Sequence, residues 1–397
     1  MLILADDMGC GDVSCLHPEG KIRTEHLDRM ADAGMVFTDA HGSSAVCTPS
    51  RYSILTGRYA WRGRLQRSVL GPHDGPLLEA DRPTLPGFLR AHGYRTACIG
   101  KWHLGMEWTF DPAAPRPGGG WQTDAAREAS LAIDYTRPLR GGPVDRGFDT
   151  YFGVDVPNFP PYTWFENDRL TDVPTVEKPD SMYGNPGKMV PGWALEKMIP
   201  EFTRRAVDLV ESQADADEPF FLYFPLTSPH SPIVPNEPFR GMSDAGNYGD
   251  FVCEVDWVVG QVYDALERTG QLDNMLLFFT SDNGPEGRTP DDLGAYERIR
   301  ESDHYSMGEL RGIKRDAWEG GHRTPFLACW PDVIPAGTVC EQPVCLVDLM
   351  ATFAEITGAD MAKDAGEDSV SILPLLRGEV DRPTRRTVIH HSVSGKV

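Results

Sequence analysis

The sequence predicts an α/β sandwich with a large, mostly parallel central sheet flanked by helices. Short apolar runs alternate with segments of helical periodicity, the order that builds a sheet covered by helices. Four of those runs end abruptly in polar clusters. The candidate strands cover 2–5, 35–38, 95–100, 219–226, 275–280 and 325–330. Leu2-Ile3-Leu4 reads as the tail of a buried strand. Val252, Val255, Val259, Val262 and Leu266 recur at spacings of three and four, a helix that buries one face and stops at Gly270. Residues 201–212 read the same way through Phe202, Ala206, Leu209 and Val210. Residues 106–200 break the rhythm. Rich in Pro, Gly, Asp and Trp, they read as irregular, substrate-facing insertions.

With 397 residues, the chain suits one large domain or two unequal ones. Its 33 prolines and 40 glycines indicate a loop-rich design of the kind that assembles a site from many connections. A net charge of −21 argues against a nucleic-acid partner. It would also repel an anionic substrate unless basic groups cluster at the site. The eight cysteines are scattered and include no C-x-x-C pair, so a zinc site of that type is not expected and the redox compartment stays open. No apolar run approaches the roughly 18 residues of a membrane span.

The polar clusters carry the chemistry. They are Asp6-Asp7, Lys101-Trp102-His103, Thr227-Ser228-Pro229-His230 and Ser281-Asp282-Asn283-Gly284. Ligands of open α/β sheets bind outside the carboxyl ends of the strands, so the four clusters should meet in one crevice. Asp6, Asp7, Asp282 and Asn283 offer the oxygen ligands that a hard divalent cation needs, although each pair alone would be a turn or a cap. Lys101 and His103, two apart in an extended segment, share one side. Arg51 is expected to open a helix with Ser50, whose positive end would favour an anion at position 47.

Cys47-Thr48-Pro49-Ser50-Arg51 resembles the C-x-P-S-R signature of type I, formylglycine-dependent sulfatases of the alkaline phosphatase superfamily. The likeness runs from Leu2 to about His391. It includes the stretch Gly100–Gly105, the loop around His230, and a G-x-K-x-x-x-W-E-G-G-x-R-x-P pattern from Gly312 to Pro325. It implies an alkaline-phosphatase-like fold and an arylsulfatase-like sulfuric ester hydrolase. Cys47 would be converted to formylglycine by a formylglycine-generating enzyme, and Ca2+ would be held by Asp6, Asp7, Asp282 and Asn283. One hydroxyl of the aldehyde hydrate would attack sulfur while Lys101 and Lys314 bind the sulfate. His230 would protonate the leaving alcohol, His103 would deprotonate the second hydroxyl to expel sulfate, and Arg51 would orient the hydrate. The implied substrate is a small-molecule or polysaccharide sulfate ester, with a sulfated carbohydrate preferred, and the implied location is periplasmic or secreted. A phosphonate or phosphate ester hydrolase of the same superfamily, or a catalytically silent carbohydrate-binding relative, is the alternative.

One departure matters. The serine that family members often carry after a G-F-x-x-x-x-G segment is absent after Gly147–Gly153, and Asn158 is the polar residue that stands in for it. The aromatics of 151–165 would form either a sugar-stacking wall or loop packing. The resemblance also implies a catalytic domain over 1–380 and, over 381–397, the start of a truncated antiparallel subdomain with a strand at 386–391. Strands left unpaired at both ends would make residues 1–397 poorly soluble or weakly active.

Overall fold

Every residue of Leu2–Ala5 (β1) is buried. Leu2 and Leu4 enter one hydrophobic layer while Ile3 and Ala5 enter the other, as the two-residue period of a strand requires. A strand covered on both faces reads as an unbroken apolar run, which is why this one was legible.

The computed structural model describes residues 1–111, 124–289, 292–379 and 381–395. In chain order the strands are β1, β2 (Met35–Phe37), β3 (Ala40–His41), β4 (Arg95–Lys101), β5 (Thr150–Val154), β6 (Phe165–Glu166) and β7 (Arg169–Leu170). They continue with β8 (Val176–Glu177), β9 (Lys188–Met189), β10 (Phe220–Pro225), β11 (Leu277–Ser281), β12 (Phe326–Cys329), β13 (Thr338–Cys340) and β14 (Val344–Cys345). Ten form one sheet in the order β13-β2-β12-β11-β1-β10-β4-β5-β6-β7. The five neighbours β11, β1, β10, β4 and β5 run parallel. β12 joins β11 antiparallel, and β6 joins β5 the same way.

The helices are α1 (Glu25–Asp32), α2 (Cys47–Thr56), α3 (Leu85–Ala91), α4 (Asp124–Leu131), α5 (Met198–Ser212), α6 (Gly246–Arg268), α7 (Ala295–Ser302), α8 (Glu319–His322), α9 (Leu349–Thr357) and α10 (Leu373–Leu376). Leu27 of α1, Phe202 and Ala206 of α5, and Val255 and Val259 of α6 pack with Ile3, Leu222 and Phe279 on one face. Ile54 of α2, Leu89 of α3, Phe353 of α9 and Leu376 of α10 pack with Leu4, Tyr223 and Phe278 on the other. The register Leu2↔Tyr223, Leu2↔Phe278 and Tyr223↔Cys98 brings the carboxyl ends of β1, β10, β11 and β4 to one edge.

Three expectations change. The segment 106–200 is not irregular throughout: Thr150–Val154 is the fifth parallel strand, followed by the β6/β7 hairpin. Its residues 112–123 lie outside the described residues. No strand forms at 386–391, where only an isolated bridge joins His391 to Ser44. Arg385 instead forms a buried ion pair with Asp348, and the carbonyl of Val393 accepts from the Ser68 amide at 2.7 Å. β1 has a partner on each side, so it presents no open edge. No described helix is long and apolar enough to cross a membrane.

Candidate active site

The aligned strand ends open into a cleft of about 310 Å³ lined by Asp7, Cys47, His103, His230 and Lys314. Asp6, Arg51, Lys101, Asp282 and Asn283 are fully buried. Their side chains pair with one another or with Cys47 and Asp7 of the cleft lining. All ten residues singled out from the sequence are therefore gathered at one place.

Helix α2 starts at Cys47 itself, with extended Val46 as its cap, rather than at Ser50–Arg51. Pro49 is tolerated because the first turn has no intrahelical amide bond to lose. All ten residues of α2 are buried and its first turn carries no acidic side chain, so its amide end favours an anion near position 47. The Cys47 Sγ lies 3.5 Å from Asp6 Oδ1 and 3.9 Å from Asp7 Oδ1. Burial pushes the thiol up, and the opposing pull of Lys101 and Lys314 does not reverse it. An unmodified Cys47 is then a neutral thiol and a poor nucleophile.

The buried charges interlock. Arg51 donates through Nε to Asp282 Oδ2 at 3.0 Å, with Nη2 at 2.8 Å from the same oxygen and 3.6 Å from Asp6 Oδ1. Its Nη1 donates to the Lys101 carbonyl at 3.1 Å. Lys101 Nζ is 2.5 Å from Asp6 Oδ2, and Lys314 Nζ is 2.5 Å from Asp7 Oδ2. Burial would raise Asp6, but Lys101, His230, Arg51 and Lys314 outweigh it and hold the carboxyl well below its usual range. Burial and the neighbouring Asp6 push Asp282 up to about 7, against Arg51 and Lys101. Further positive charge beside Asp282 would favour its ionised form.

That donor set fits a hard cation. Asp6, Asp7, Asp282 and Cys47 each present an atom within 4.8 Å of the others. Asn283 donates through Nδ2 to Asp7 Oδ1 at 2.8 Å, while its buried Oδ1 has no partner. Three carboxylates and one orphaned amide oxygen are what calcium or magnesium takes. Asp7 adopts a left-handed backbone conformation, φ 67°, which aspartate tolerates better than most residues.

Both histidines are tautomerically fixed by backbone carbonyls. His103 Nε2 donates to the Leu70 carbonyl at 3.1 Å, leaving a buried, unpartnered Nδ1. Burial, Lys101 and Arg51 hold it neutral, so Nδ1 is a free base. His230 Nδ1 donates to the Ser231 carbonyl at 2.5 Å, with Nε2 3.8 Å from Asp7 Oδ2. Burial and Lys314 lower this imidazole to about 4.

The cleft also contains residues that the sequence did not single out. Glu286 pairs with Arg315 at 2.6 Å and stands 3.8 Å from Lys314, and Arg288, Tyr183 and Asn185 also line the cleft. Asn158 lines the cleft too, with its Oδ1 buried and unpartnered. Most of the 151–165 aromatics turn out to be packing rather than wall. Tyr151, Tyr162 and Phe165 are buried, and Trp164 packs on Phe152, Trp193 and Phe202. Among them only Phe159 lines the cleft.

The sulfatase family profile matches residues 1–359. An N-acetylgalactosamine-6-O-sulfatase of Bacteroides thetaiotaomicron is 32% identical, covering 99% of this chain and 78% of its own length. The human N-acetylgalactosamine-6-sulfatase is 31% identical, over 96% of this chain and 67% of its own. A solved sulfatase structure from work on glycosaminoglycan metabolism by B. thetaiotaomicron superimposes with a TM-score of 0.82 at 28% identity, covering 99% of this chain and 84% of the other. A phosphonate monoester hydrolase of Silicibacter pomeroyi shares the fold, with a TM-score of 0.63 at 20% identity over 98% of this chain and 78% of its own.

Proposed function

This chain belongs to the sulfatase family and is a sulfuric ester hydrolase, and on that premise we propose that it cleaves sulfate monoesters of a carbohydrate in the cleft around Cys47. The observation that carries the proposal is the site of Cys47, at the amide end of a fully buried helix among Lys101, Lys314 and two histidines of fixed tautomer. The nearest chemistry to test first is a 6-O-sulfate on N-acetylgalactosamine, the group named for the bacterial and human relatives described above.

Oxidation of Cys47 to formylglycine, by a formylglycine-generating enzyme, would supply an aldehyde hydrate with one hydroxyl to attack sulfur and another to release it. Calcium held by Asp6, Asp7, Asp282 and Asn283 would supply Lewis-acid stabilisation of charge on the sulfate oxygens. The remaining work falls to the chain's own side chains. Lys101 and Lys314 bind the anion and stabilise charge that grows in the transition state. Arg51, engaged with Asp282 and Asp6, positions the carboxylates beside Cys47 and through them orients the hydrate. The bare Nδ1 of His103 accepts the proton whose loss expels sulfate. His230 faces the cleft through Nε2 and hands its proton to the departing alcohol. Burial and Lys314 keep His230 neutral at rest, and an arriving anion offsets the lysine charge so that Nε2 takes up the proton it then gives. Asn158 takes the polar contact that a serine makes in relatives. A periplasmic or secreted location and a catalytic domain spanning 1–380, with 381–397 beginning a C-terminal part, belong to the same reading.

Two measurements test it. On a panel of sulfate, phosphate and phosphonate esters, with sulfated sugars included, kcat/KM should be highest for a sulfated sugar; a phosphonate or phosphate ester turned over faster would replace the reading with its rival. His230→Ala should slow alkyl and sugar sulfates by roughly 10²–10⁴-fold, the usual worth of general acid catalysis. It should slow sulfates of acidic phenols far less, because those leaving groups need little protonation. An equal loss for both kinds of leaving group would assign His230 to binding or folding.

A further inference from the structure

His41, His322 and His390 form a cluster that the sulfatase reaction does not use. One ring nitrogen from each lies within 4.8 Å of the other two. They come from three distant parts of the chain: the end of β3, the last residue of α8, and the C-terminal segment. Asp39 Oδ1 is 2.8 Å from His41 Nε2 and also pairs with Arg323 at 2.8 Å. His41 therefore donates to Asp39 and leaves Nδ1 as a bare acceptor, 3.1 Å from His322 Nδ1. His322 is 1% exposed, and its Nε2 has no partner; neither has Nδ1 of His390. The rings of His322 and His390 lie face to face with centroids 3.3 Å apart. Aromatic rings left to themselves settle at ~4.5–7 Å.

Three imidazoles with a carboxylate behind one of them are a ligand set. Histidine binds metal as the neutral imidazole, the form that burial and the neighbouring rings favour for His322 and His390. Imidazole nitrogen suits zinc and its neighbours, whereas calcium and magnesium seek oxygen. Tetrahedral bonds of 2.0–2.1 Å put ligand nitrogens about 3.4 Å apart, close to the 3.1 Å between His41 and His322 and within the 4.8 Å that holds for all three. Closing the set would need His390, which is only half-buried, to rotate and spread the stack. Asp39, hydrogen-bonded to His41 Nε2, would hold that ring in the orientation a metal ligand needs.

We propose that His41, His322 and His390 bind a zinc-class transition-metal ion, with a solvent molecule in the fourth position, at a site separate from the oxygen-rich one in the cleft. The location gives the ion a role. His41 precedes Cys47 by six residues, the loop leading into α8, which ends at His322, carries Lys314, and His390 leads into Val393 of the cleft wall. Gly42 N donates to the His322 carbonyl at 2.7 Å and Ala45 N to that of His391 at 3.1 Å, so the three segments already run together. A bridging ion staples them.

The test uses the whole protein in calcium, freed of transition metals. Titration with Co2+ should give, at one equivalent, the intense visible bands of a tetrahedral nitrogen site, which Zn2+ then displaces. Cobalt in the oxygen-rich cleft would give only weak octahedral bands. Zn2+ should raise Tm. Asp39→Asn should weaken zinc binding by about 10–100-fold, and His390→Gln by more, with loss of the Tm shift. His390 is partly exposed, so that variant should fold, and its Tm without zinc should match that of the metal-free wild type. Absence of both tetrahedral bands and a zinc-dependent shift in the wild type would show a hydrogen-bonded histidine stack and nothing more. A shift of equal size in His390→Gln would place the zinc elsewhere and overturn the proposal.

Discussion

Cys47→Ser should yield a folded protein whose turnover falls by on the order of 10⁵–10⁶, the scale seen when a covalent nucleophile is removed. The substitution is nearly isosteric at the first residue of α2, where serine is well tolerated, and its hydroxyl can donate to Asp6 as the thiol does. Tm should therefore stay close to that of the wild type. The chemistry is what changes. A serine hydroxyl can attack sulfur, but the resulting ester has no second hydroxyl for His103 to deprotonate, so sulfate cannot leave. The expected outcome is at most one equivalent of alcohol released, with a sulfate adduct on the peptide carrying position 47. Mass spectrometry of the wild-type peptide should show the aldehyde instead of the thiol. Undiminished turnover in Cys47→Ser, or in wild-type protein whose Cys47 is shown to be an intact thiol, would sink the formylglycine reading and leave His103 without its assigned step.

The parts of this fold that were readable from sequence share one property: the chemical residue sits next to the apolar strand that positions it. Asp6-Asp7 follow β1, Lys101 closes β4, and Asp282-Asn283 follow β11, so one apolar run announces both scaffold and ligand. Parallel pairing then does the convergence. β5 was hidden by Gly153, which reads as a breaker inside a strand. The structure gives the reason for it: Gly153 pairs with Gly100, and a Cβ on Gly153 would meet the Gly100 carbonyl oxygen at 1.8 Å. Here glycine permits close strand approach rather than ending the strand. The 386–391 run failed in the opposite direction. Its pattern is strand-like, but among the described residues no strand pairs with it, and pattern alone carries no information about a partner. Glu286, Arg288, Tyr183 and Asn185 reach the cleft from loops, where neither period nor motif marks them. The histidine cluster was equally invisible, because residues 41, 322 and 390 have no metal-binding spacing and meet only through the fold.

Asp282→Asn should fold and yet lose most of its response to calcium. Asparagine keeps the shape and one oxygen of the side chain, while Arg51 retains Asp6 at 3.6 Å as a carboxylate partner. What disappears is one of three charges facing the ion. For a hard cation bound by few carboxylates, that loss should weaken affinity by ~10²-fold or more. The consequence for stability follows from mass action. Calcium at a hundred times its Kd stabilises the wild type by about 2.7 kcal/mol. At the same concentration the variant sits near its own Kd and gains only about 0.4 kcal/mol. The calcium-induced rise in Tm should accordingly shrink several-fold, without reference to any assay of activity. Chelation should abolish wild-type turnover and added calcium should restore it, with the variant needing far more of the ion. Asp264→Asn, which alters a partly exposed ion pair with Arg29, serves as the control and should respond to calcium like the wild type. An unchanged calcium-dependent Tm shift in Asp282→Asn would mean that the orphaned Asn283 oxygen and the three buried carboxylates are not a metal site. Their ion pairs with Arg51, Lys101 and Lys314 would then be their whole electrostatic purpose.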